Sequence, residues 1–332
     1  MLEHGGRLQR AALEYGRPLD EWLDLSTGIT PFAWPPVPIP DRVWQRLPED
    51  EDGLEQVAAT CYGAPQVLAV AGSQAAIQVL PRLRGRSRVG VIAPGYQEHA
   101  HAWRQAGHQV VAASADQLLS AVDAYDVLVL IHPNNPGGEH FSPQQLLDLH
   151  RQLAVRGGWL VIDEAFMDPD PSFSMAAHTS EEGLVVLRSV GKFFGLAGAR
   201  AGFLCAEPGL LARARELLGP WTLSGPSRYL AAAALADHGW QAAARTWLAQ
   251  AGRQLQVVLQ AHGLESRGCS LFRWCRTDQA AVLHQALARR GILVRLFAEP
   301  ASLRFGLPPD AAGLQRLDQA LAESLRERVD AG

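Results

Sequence analysis

A chain of 332 residues, 48% of them hydrophobic, carries enough apolar material for a large core and enough length for two domains. Its formal charge of −4 arises from acids and bases interspersed along the chain, which leaves no polybasic stretch to hold nucleic acid or an anionic membrane. Cys61, Cys205, Cys269 and Cys275 form no CxxC pair and read as reduced, mostly buried thiols. No signal peptide and no membrane-length apolar run is apparent, so a soluble cytoplasmic protein is expected.

Residues 1–25 read as an arm, a short helix and a brief strand. Residues 26–40 contain closely spaced prolines, which exclude regular helix and predict an extended connector. A helical pattern over 54–61 stops at Gly63, Ala64 and Pro65. From residue 67 short apolar runs alternate with helical patterns: strands are expected at 67–70, 89–93, 126–131, 159–162, 184–187 and 201–206. Ser142 and Pro143 supply an N-cap and a first-turn proline for one of the intervening helices. This alternation predicts an α/β domain whose mainly parallel sheet is covered on both faces. After Pro208 come a helix to 218, a long helical region over 226–259, strands at 270–274, 292–296 and 302–306, and a final helix. The expected organisation is a large domain over 26–218 and a smaller α+β domain from 219–332 joined by 1–25.

Lys192 is the chain's single lysine. Set among Phe193, Phe194, Gly195 and Leu196, its amine is expected to be partly desolvated, which disfavours the charged form and improves it as a nucleophile toward carbonyls. Ser189 and Arg200 on either side could hold an anion. An amine beside an anion site points to a phosphate-bearing aldehyde, pyridoxal 5′-phosphate (PLP). The segment alone fits a surface lysine beside a glycine-rich loop equally well.

The distribution of polar residues changes that balance. Ligands of parallel sheets bind at the carboxyl ends of strands. Tyr96, Asn135, Asp163, Ser189 and Lys192 all lie just beyond such an end, and Gly72, Ser73 and Gln74 open a helix whose free N–H groups attract phosphate. PLP needs a lysine, an acid opposite its pyridine nitrogen, a donor toward its ring oxygen, an aromatic face and a phosphate cradle. Lys192, Asp163, Asn135, Tyr96 and the set Gly72, Ser73, Gln74, Ser189 and Arg200 match those needs in turn. Taken together these motifs resemble the fold-type I, aspartate aminotransferase-like PLP enzymes, and within them the histidinol-phosphate aminotransferase branch. The resemblance implies catalytic roles for Lys192, Asp163 and Tyr96, and a homodimer.

The opening His4-Gly5-Gly6-Arg7 and the stretch from Leu23 to Pro31 are similar to those of the threonine-phosphate decarboxylases of that branch. Phe166 stands where aminotransferases usually carry tyrosine. The resemblance implies decarboxylation of L-threonine O-3-phosphate to (R)-1-amino-2-propanol phosphate for cobalamin biosynthesis, with a histidinol-phosphate or related aminotransferase as the alternative. It assigns the small phosphorylated substrate to His4, Gly28, Asn135, Arg295 and Arg304. Leu47-Pro48 replaces the Tyr-Pro of many relatives. A binding or regulatory use of the same fold is a third reading, set against by the retained lysine. His99, His101 and the acidic run Asp163, Glu164, Asp168 and Asp170 offer metal-ligand types, but residues two apart on a helix point to different faces, so surface histidines and a solvated turn are expected.

Overall fold

The structure is a computed structural model and describes residues 4–329. The chain divides into two compact units: one of Ala33–Asn135 and Glu139–Ala243, the other of the residues up to Phe32, Pro136–Gly138 and the chain from Ala244 onward. Twelve strands are present among the described residues. The first, β1 (Leu23–Leu25), belongs to the second unit.

The first unit is built on seven strands: β2 (Val67–Val70), β3 (Arg88–Ile92), β4 (Gln109–Ala113), β5 (Val127–Ile131), β6 (Trp159–Asp163), β7 (Leu184–Ser189) and β8 (Gly202–Cys205). Their order is β2-β8-β7-β6-β5-β3-β4, and only β8 runs antiparallel to its two neighbours. The sheet is therefore mainly parallel, as expected. Strands β5, β6 and β7 are buried along their whole length, which is why they read as continuous apolar runs rather than alternating ones. Helices follow the strands, among them Gln97–Gln105, Pro143–Ala154 and Pro208–Leu218. Ser142 caps its helix with Gln145 in a reciprocal box and Pro143 fills the first turn, as the sequence indicates. Strand β4 was not foreseen, because its Gln109 and its half-exposed valines form no clear apolar run.

The second unit adds β9 (Arg267–Cys269), β10 (Phe272–Arg276), β11 (Ile292–Phe297) and β12 (Ser302–Gly306) in the order β1-β11-β12-β10-β9. The helical region expected over 226–259 is two helices, Gly225–Ala236 and His238–Ala261. They part at Asp237, whose carboxylate accepts the Trp240 N–H at 2.9 Å and restarts the helix as a local cap. Among the described residues no helix is long and apolar enough to cross a membrane. Cys205, Cys269 and Cys275 are buried free thiols and Cys61 is half-buried.

Candidate active site

At the carboxyl end of β6 the Asp163 carboxylate is buried with both oxygens engaged. One accepts the Ala165 N–H at 3.0 Å, and the other meets His99 Nε2 at 2.8 Å. His99 lies on the helix that follows Tyr96 and touches the Tyr96 ring edge-on, with centroids 6.2 Å apart. The expectation that His99 is a surface residue is thus corrected: it faces inward and bonds the strand-end carboxylate, while His101, two positions on, points outward. Among the described residues no group of three potential metal ligands stands together.

Beyond β3 the Tyr96 hydroxyl donates to Gln74 Oε1 at 3.3 Å, and Gln74 Nε2 donates to Glu98 at 3.0 Å. Burial first, then the charges of Glu98 and Asp163, push the Tyr96 phenol up to about 12 against the opposing pull of Arg200. Tyr96, Asp163 and Arg200 therefore share one electrostatic neighbourhood. Lys192 follows β7 in a half-buried loop, its ammonium 5.7 Å from the centre of the buried Phe166 ring.

The candidate phosphate cradle forms where β8 lies between β2 and β7. Gly72 has φ +74°, and a Cβ there would come within 2.7 Å of the Arg200 guanidinium, so the two residues are packed in contact. Gly202 stands opposite Ser189 in the β7–β8 ladder, and a Cβ on it would lie 2.6 Å from the Ser73 amide nitrogen. The Ser189 hydroxyl accepts the Gly191 N–H at 3.1 Å and turns the chain toward Lys192. Gly72, Ser73, Ser189 and Arg200 are thus brought together, and Gly202, which sequence reading passed over, is what lets them approach.

Asn135 is half-buried beyond β5, in a loop held by its neighbour: Asn134 Nδ2 donates to Pro94 O at 2.9 Å and to Glu139 at 2.6 Å. His132, just before, accepts the Phe141 N–H on Nδ1 at 3.3 Å. Burial and the nearby His140 push His132 down to about 3.

The second unit holds the other proposed residues. Arg295 and Arg304 are direct cross-strand partners on β11 and β12, so their side chains leave the same face of the sheet. Burial first, and then Arg295, lower the Arg304 guanidinium to about 10. Like charges placed opposite each other are unfavourable, and the nearby Cys269 and Asp24 oppose the lowering at Arg304. Arg304 donates to the Ser26 carbonyl at 2.8 Å. Gly5 packs against that same carbonyl where any side chain would collide, and the Gly6 N–H donates to Ser26 Oγ at 2.8 Å. The two glycines after half-buried His4 are thus explained by this close approach, and Gly28 is buried in the turn after β1.

The acidic run after β6 is not a solvated turn. Glu164 and Asp168 are buried on the fully buried Arg188, at 2.7 and 2.6 Å, and only Asp170 is exposed. Arginine at 188, immediately before Ser189, was the available signal, since a lone cation inside an apolar strand needs a buried acid.

The family model for class I and II aminotransferases matches residues 50–321. The threonine-phosphate decarboxylase of Pseudomonas aeruginosa is 53% identical over 97% of this chain and 97% of its own length. A threonine-phosphate decarboxylase from a Sinorhizobium species is 40% identical over 96% and 97%. Among solved structures, the histidinol-phosphate aminotransferase of Sinorhizobium meliloti in complex with PLP superposes with a TM-score of 0.84 at 21% identity, covering 98% of this chain and 96% of that one, and so shares the fold. The chain belongs to the class I and II aminotransferase family.

Proposed function

We propose that the protein is a PLP-dependent decarboxylase of L-threonine O-3-phosphate, yielding (R)-1-amino-2-propanol phosphate for cobalamin biosynthesis. The observation that carries this reading is the 53% identity, over nearly all of both chains, to a threonine-phosphate decarboxylase. The donor set fits the cofactor: one lysine, a buried carboxylate, an aromatic ring and a glycine at 72 whose missing side chain lets the Arg200 guanidinium approach. When bound, PLP supplies an electron sink for the pair left on the substrate Cα as CO2 departs.

In this reading Lys192 carries the cofactor and later holds the proton destined for Cα. Asp163 would pair with the pyridine nitrogen, Tyr96 would offer its ring as a stacking face and Asn135 would donate to the ring oxygen. Gly72, Ser73, Gln74, Ser189 and Arg200 hold the cofactor phosphate. His4, Gly28, Asn135, Arg295 and Arg304 bind the substrate, the arginines through its anionic groups. Orientation of the carboxylate by those arginines selects the bond that breaks. Phe166 supports decarboxylation, since it has no hydroxyl to offer the ring oxygen. The enzyme acts as a cytoplasmic homodimer.

Incubation of the protein with PLP and L-threonine O-3-phosphate, without 2-oxoglutarate, should release CO2 and leave the amino phosphate. Amino transfer from histidinol phosphate to 2-oxoglutarate, with no CO2 from threonine phosphate, would overturn the proposal in favour of the aminotransferase.

A further inference from the structure

A buried ionic cluster lies directly behind two of the proposed cofactor anchors. Arg188 Nη1 donates to Glu164 Oε2 at 2.7 Å and Nη2 to Asp168 Oδ1 at 2.6 Å. Glu164 also accepts the Ser174 hydroxyl at 2.6 Å and the Met175 N–H at 2.7 Å. The Arg188 guanidinium lies 4.3 Å from the centre of the Tyr62 ring. All three charged side chains are at most 4% exposed.

The placement follows from strand geometry. Successive residues of a strand point to opposite faces. Ser189 follows Arg188 within β7, and Glu164 follows Asp163 where the ladder continues through the Glu164 N–H to Leu187 O bond at 2.9 Å. Asp163 and Ser189 therefore share one face while Glu164 and Arg188 meet on the other. The ion pair staples the carboxyl ends of β6 and β7 from behind, and Asp168, Ser174, Met175 and Tyr62 tie that staple to three further segments.

A buried ion pair adds little net stability over apolar residues of the same volume. What it adds here is direction: short charge-assisted bonds fix the relative position of two adjacent strand ends. We propose that Arg188, Glu164 and Asp168 are positioning residues that set the registration of Asp163 with Ser189, and through them the affinity and ionisation of the bound cofactor. The proposal rests on the PLP reading above. A misplacement of about 1 Å at a reacting centre can cost on the order of 100-fold, so a small slip of these ends is enough to be measured.

The test uses the full-length protein. Glu164→Gln keeps the shape and removes the charge; should it fail to fold, the fully neutral E164Q/D168N/R188M variant leaves no uncompensated charge and replaces it. PLP titration of the apoprotein, pH titration of the bound cofactor's visible absorbance, and thermal melting of the apoprotein are read side by side. The expected result is a PLP Kd raised by about tenfold or more, the usual effect of losing an outer partner of a ligand-holding side chain, together with a displaced absorbance midpoint. A Kd and midpoint equal to wild type, whatever the melting temperature, would overturn the positioning role. Wild-type protein that binds no PLP would instead overturn the cofactor reading and this inference with it.

Discussion

In the proposed reaction Lys192 carries the heaviest chemical load, and its being the single lysine makes the assignment easy to test. With one lysine in the chain, borohydride reduction in the presence of PLP should fix a single cofactor per chain, read by mass spectrometry, and Lys192→Ala should fix none. A stable adduct on that variant would remove Lys192 from the mechanism. Tyr96 is argued to act through its ring. Its phenol, pushed up to about 12, stays protonated across the working range and spends its hydrogen on Gln74. Tyr96→Phe is therefore expected to leave the shape of the pH–rate profile unchanged between pH 6 and 10 and to cost less than about tenfold in kcat/KM, the scale of one neutral hydrogen bond. A new or lost inflection in that profile would contradict it. Phe166 and His99 are the neighbours that give Lys192 and Asp163 their surroundings, one through its ring face, the other through a 2.8 Å bond.

At the scale of elements, the site depends on strands and loops meeting without side chains between them. Gly202 is one such point, since a methyl group there would press on the backbone amide of Ser73. Gly202→Ala should lower stability by about 1–3 kcal/mol in urea denaturation, the usual cost of overpacking, and weaken PLP binding. Gly198→Ala, facing open space, should do neither. The loop after β5 offers a pH test. His132 titrates near 3 when folded and near 6.5 when unfolded, so the unfolded chain takes up its proton first. Its contribution to stability is complete above pH 6.5 and is lost as the pH falls from there toward 3. Replacement by phenylalanine should flatten that limb of the stability profile; an unchanged slope would show that other groups set it. Arg188→Met alone, which strands two buried carboxylates, should cost about 3–5 kcal/mol.

For the whole molecule, the alternation of apolar runs and helical patterns was sufficient to read an α/β fold, because strands buried on both faces must be apolar throughout. The margin strand β4 was less legible than β2 at the opposite margin: carrying Gln109 and partly exposed valines, it lacks that signature. The proposed dimer belongs to this scale too. Sedimentation equilibrium of the holoenzyme should return twice the chain mass, and a monomer retaining full activity would exclude a shared site.

Sequence alone determined the cofactor chemistry. A solitary lysine and polar residues at successive strand ends are discrete features, and their order survives without knowledge of contacts. Tertiary structure decided which polar residues are buried and what they meet. His99, two positions from exposed His101, and Glu164, one position from Asp163, differ from their neighbours only in the face they occupy. Linear order cannot report that face, because burial of a polar side chain depends on a partner supplied from elsewhere in the fold. Here those partners are Asp163 for His99 and Arg188 for Glu164, on strands brought together by the sheet.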